Sequence, residues 1–106
     1  MKINVATADF EHYDCGKLLS DKIVFRGYVE LDEFDAEKAF DLCNWDCWAD
    51  EKPREVHTDI SRIGHGLIVF DEMGTAHLAL SSGWLSGSAD TIRKYLRRHM
   101  NDVLFL

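Results

Sequence analysis

Along this chain the spacing of apolar residues switches between a period of two and a helical period. That switching constrains the fold more than any single motif does. Residues 22–31, KIVFRGYVEL, are rich in β-branched and aromatic side chains and read as a strand. Ile23, Phe25, Val29 and Leu31 are expected on one face, with Val24, Arg26 and Tyr28 on the other. Gly27 marks a bulge or a close approach of another backbone. From Ala36 the period becomes helical: Ala36, Phe40, Cys43 and Cys47 form one stripe. Asp32 or Asp35 can cap this helix by accepting an orphan N–H, and Pro53 stops it from running further.

The strand period then returns. VHTDIS (56–61) alternates, Gly64-His65-Gly66 supplies a turn, and GLIVF (66–70) is the most apolar run. Met73-Gly74 turns again before TAHLALS (75–81). These three segments read as an antiparallel meander. Gly83 and Gly87 bracket Trp84 and Leu85 in an expected loop, and Ser88 caps a second helix. That helix has an apolar stripe of Ile92, Leu96, His99 and Val103, flanked by Tyr95 and Met100. Arg93, Lys94, Arg97 and Arg98 lie largely opposite it. At the other end of the chain, Ile3, Val5 and Thr7 alternate as a short first strand, and Gly16 is expected to interrupt whatever follows. The expectation is a single α+β domain over residues 1–106, a mainly antiparallel sheet of about four to six strands with both helices packed on one face. At 106 residues a chain can bury roughly 60–70% of its unfolded surface and needs no metal or disulfide to fold.

Charge is distributed unevenly. The net charge is −7, which disfavours direct contact with nucleic acid and favours basic protein surfaces. Residues 30–51 hold nine acids and only Lys38 as a base. Within them, FDLCNWDCWADE (40–51) combines two tryptophans with two cysteines. On a continued helix, Phe40, Cys43 and Cys47 face inward, Trp45 falls on the opposite side, and Trp48 sits beside Glu37, Asp41 and Asn44; if the helix instead ends near Asn44, both rings fold back over the sheet edge. A tryptophan rimmed by carboxylates is suited to a basic protein partner, because its ring can stack on arginine. The candidate partner-binding residues are Glu33, Glu37, Asp41, Trp45, Asp46, Trp48, Asp50 and Glu51. The expected function is a non-enzymatic inhibitor that fills a basic, nucleic-acid-binding surface of another protein, its carboxylates standing where phosphates would be. Inhibitors carried by mobile elements and toxin-immunity proteins share this physical character.

Two other chemistries are compatible with the residues. His12, Cys15, Cys43 and Cys47 form a Cys₃His set that could hold zinc, although the spacing is looser than in paired structural sites and buried thiols explain the cysteines equally well. His57 and Asp59 share a strand face and could act as an acid–base pair, with His65 and His77 on neighbouring strands and Ser61 or Ser81 as a nucleophile. No cofactor is implied. An odd number of cysteines, no signal-peptide pattern and no apolar stretch of membrane-spanning length lead to the expectation of a cytoplasmic protein.

Overall fold

The structure, a computed structural model, describes residues 1–12, 15–45, 51–59 and 66–99. A long hairpin opens the fold: β1 (Lys2–His12) pairs antiparallel with β2 (Cys15–Glu30). Both strands run well past the apolar stretches that identify them in the sequence, and β2 passes through Gly16 without interruption. A helix, α1 (Ala36–Cys43), follows, and then a short strand, β3 (Val56–Thr58). Next come β4 (Leu67–Phe70), β5 (Ala76–Leu80), β6 (Gly83–Gly87) and α2 (Ala89–Arg98). All six strands join one antiparallel sheet in the order β3-β2-β1-β4-β5-β6. The class is therefore α+β, as the period switches require.

The placement of the helices corrects the expectation of a single covered face. Register follows Val5↔Val69, Thr7↔Leu67 and Val69↔His77 on one side of the sheet, and Ala6↔Ile68 and Ile68↔Leu78 on the other. Ile3, Val5, Val29, Leu67, Val69 and Ala79 pack with Ala39 and Cys43 of α1. Ala6, Ala8, Phe10, Leu18, Ile68, Ala76 and Leu78 pack with Ile92 and Leu96 of α2. The helices thus cover opposite faces. The physical reason lies in β1 and β4, whose consecutive residues are apolar and wholly buried (Val5 and Ala6, Leu67 to Val69). A strand of that kind is stable only where both faces are dry.

Gly27 reconciles β2 with this arrangement. Val5 pairs with Gly27 but Ala6 pairs with Phe25, so Arg26 is an extra residue and the register shifts. Beyond the bulge the parity reverses. Val29 and Leu31 enter the α1 core, whereas Ile23 packs on the α2 side and Phe25 stacks on Phe70 at 5.4 Å between centroids. The expected common face for Ile23, Phe25, Val29 and Leu31 is split at this point. Gly27 has φ +136°, and a Cβ there would lie 2.0 Å from the His57 carbonyl oxygen. Both the bulge and the close backbone approach are present.

Two strands depart from the expected meander. β3 pairs with β2 at one edge of the sheet and is not a hydrogen-bonded neighbour of β4. The expected loop around Trp84 is the opposite edge strand, β6, joined to β5 by the two residues Ser81 and Ser82. The helix caps follow the sequence. Asp35 Oδ1 accepts from the Lys38 backbone N–H at 3.1 Å, and Ser88 Oγ accepts from that of Thr91 at 3.1 Å. No described helix is long and apolar enough to cross a membrane.

Candidate functional site on the α1 face

α1 buries Ala39 and Cys43 completely and turns its other side to solvent. Asp32, Glu33, Asp35, Glu37 and Asp41 are exposed there or on the loop leading in. Among the described residues, the chain's ion pairs join Arg26 to Asp59, Arg54 to Glu55, His77 to Asp71, Arg93 to Asp90 and Arg97 to Asp21. None engages the acids of α1 or its entry loop. Lys38 shares a shallow depression with Asp32, Glu33 and Asp35, so the flank carrying Glu37 and Asp41 is the more strongly negative one. Glu51 is also exposed.

At Trp45 the structure follows the alternative in which the helix ends near Asn44, not the continued helix. α1 ends at Cys43 with Asn44 as its C-cap, two residues before the ring could be carried to the solvent side. Trp45 is half-buried and packs against the α1 core, its Nε1–H buried without an acceptor among the described residues. It is a packing residue. Asp46, Trp48 and Asp50 lie outside the described residues.

A different tryptophan stands at the acidic flank. Trp84 projects from β6 on the α1 side, and its Nε1 donates to Glu37 Oε1 at 2.6 Å. Phe40 meets it edge-on, with 6.1 Å between centroids and 81° between planes. Sequence reasoning placed Trp84 in a loop, and the missed signal is the Ser81-Ser82 hairpin that sets Ala79 opposite Trp84.

The same hairpin pairs His77 with Ser86. His77 Nδ1 lies 2.6 Å from Ser86 Oγ, and Nε2 lies 3.0 Å from Asp71 Oδ2. Oδ1 of Asp71 accepts from the backbone N–H groups of Met73 and Thr75, both at 2.9 Å, and so closes the β4–β5 turn. The His77 hydrogen bond, with help from these backbone donors and against some desolvation, holds the Asp71 carboxyl below its ordinary range. In the neutral tautomer whose N–H is at Nε2, His77 donates to Asp71 and its Nδ1 lone pair can accept the Ser86 hydroxyl. Phe34 tilts against the imidazole at 5.3 Å.

The other candidates are dispersed. His57 stacks on Tyr28 at 4.6 Å, while Asp59 faces the Arg26 guanidinium at 3.8 Å, so they do not form a pair with each other. Ser61 and His65 lie outside the described residues, as do Cys47 and the side chains of His12 and Cys15. Cys43 is enclosed by apolar side chains, and burial pushes its thiol up to about 12, far from the thiolate a metal requires. Among the described residues no three His, Cys, Asp or Glu side chains converge as metal ligands. Comparison with protein-family models, with curated proteins and with solved structures gives no match.

Proposed function

We propose that this protein is a binding module that presents the acidic flank of α1 to a basic surface of a partner protein, and that the partner surface is one that otherwise holds nucleic acid. The observation that carries this reading is that Glu33, Glu37 and Asp41 face solvent with no cation of their own chain paired to them among the described residues. Exposed carboxylates left without internal partners contribute little to folding, yet they steer and orient association with a basic surface. Surfaces that hold nucleic acid neutralise phosphates with lysines and arginines, and so are basic surfaces of the kind such carboxylates attract. The test is capture of nucleic-acid-binding proteins from lysate on the immobilised chain. Captured protein should decline with added salt, be displaced by duplex DNA or RNA, and be lost in the double variant Glu33→Lys, Asp41→Lys. Equal capture by that variant overturns the proposal.

One observation favours a second, enzymatic reading: the Ser86–His77–Asp71 chain polarises in the direction of a nucleophile set. Ser86 is exposed. In this reading Ser86 Oγ attacks an activated acyl carbonyl, its proton passes to His77 Nδ1, and the leaving alkoxide takes that proton as the acyl–Ser86 bond forms. Against it, the turn and the cross-strand pairing already account for every bond in the chain. A fluorophosphonate probe decides the matter. Labelling of Ser86 that is lost in His77→Gln supports catalysis, and absence of labelling removes it.

A further inference from the structure

An acidic flank alone does not specify what it receives, but a cleft beside it does. Glu37 and Phe40 of α1, Ala79 of β5, Ser81 of the turn, and Gly83 and Trp84 of β6 line an open cleft of about 210 Å³. That is the volume of about seven liquid waters at about 30 Å³ each. It falls below the roughly 300–1,000 Å³ that enclose a cofactor or drug-sized ligand. A site of this size takes one side chain.

Its walls define the chemistry of that side chain. Phe40 and Trp84 stand nearly perpendicular, and both line the cleft. Aromatic faces attract a cation within about 6 Å of the ring centre. Glu37 completes the set: the Trp84 indole holds Oε1, and Oε2 has no hydrogen-bond partner among the described residues. The carboxylate is therefore fixed in direction while keeping acceptor capacity. Lys38, the base closest in sequence, lines other depressions. The cleft thus has a fixed anion, an aromatic lining and no cation among the described residues that line it.

We infer that this cleft receives the guanidinium of an arginine side chain on the basic partner. The inference rests on the acidic-flank reading above and names the group that the flank selects. Guanidinium suits the walls better than ammonium, because it is planar and weakly hydrated and can lie on a ring while donating to a carboxylate. The neighbouring carboxylate of Asp41, one turn along α1, adds to the attraction without entering the cleft.

The test is a titration of ¹⁵N-labelled protein with N-acetyl-arginine methylamide, read at the Trp84 Nε1–H resonance, with the buried Trp45 Nε1–H as internal control. Its neutral isostere, N-acetyl-citrulline methylamide, and the lysine analogue serve as comparisons. The arginine probe should shift the Trp84 signal saturably and leave Trp45 in place, and the citrulline probe should do neither. Glu37→Gln, an exposed and nearly isosteric change, should weaken the arginine effect about tenfold. Equal shifts from arginine and citrulline, or no shift, overturn the inference, and equal affinity for lysine overturns the guanidinium assignment. Failure here is separable from failure of the acidic-flank reading. Capture that is abolished by Glu33→Lys, Asp41→Lys but untouched by Glu37→Gln leaves the flank standing and removes the cleft.

Discussion

Gly27 marks the point where β2 changes register against β1 and closely approaches β3. Its backbone conformation suits glycine, and a Cβ there would meet the His57 carbonyl oxygen across the β2–β3 pairing. Gly27→Ala should therefore cost about 2–4 kcal/mol, read as a lowered urea midpoint. Cys43 is expected to be inert. With its thiol pushed up to about 12 by burial, it should escape iodoacetamide at about pH 8 in native protein and react once the chain is unfolded in urea, as mass mapping would show. Asp71 gives a pH prediction with a definite sign. Its carboxyl is held low by His77, so the unfolded chain takes up this proton at a higher pH than the folded one. Its contribution to stability is complete above the ordinary carboxylate value of about 3.9 and is lost as pH falls through the lower folded value. The acid limb of a stability–pH curve should be shallower in Asp71→Asn than in the parent protein. At this scale the sequence was a fair guide to special backbone positions. It did not point to Trp84 as an indole beside the α1 carboxylates, because that placement depends on the cross-strand register of β6.

At the scale of elements, periodicity and caps were legible because they are local. Ser88 and Asp35 cap where the sequence says they should, and Ser88→Ala should lower stability by about 1 kcal/mol in a denaturant titration. Strand partnership was not legible, since any edge offers the same ladder of amide groups. β3 joins β2 because Val56 completes the α1 core beside Val29, a contact between residues far apart in the chain. Two signals were nevertheless present. The unbroken run LIVF in β4 implies burial on both faces and hence a helix on each side. A two-residue Ser81-Ser82 turn fixes both the Ala79–Trp84 pair and the His77–Ser86 pair. Since β4 feeds two cores, Leu67→Ala and Ile68→Ala should each cost about 2–5 kcal/mol.

For the whole molecule, the order of charge along the chain becomes an arrangement in space. The sequence shows an acidic first helix and a basic second one, but not that a sheet stands between them. That separation leaves the acids of α1 beyond the reach of the α2 arginines, two of which are bound locally by Asp90 and Asp21. Asp21 is in turn held below its usual carboxylate range, first by the Arg97 hydrogen bond. Among the described residues the acids of α1 and the arginines of α2 stand on opposite faces of the sheet, so the two helices give the molecule a charge asymmetry across it. On the proposed binding reading, that asymmetry would turn the acidic side toward a positively charged partner before the two make contact. The rotational search is then partly complete on arrival, and encounter becomes faster at low ionic strength than the net charge alone would give.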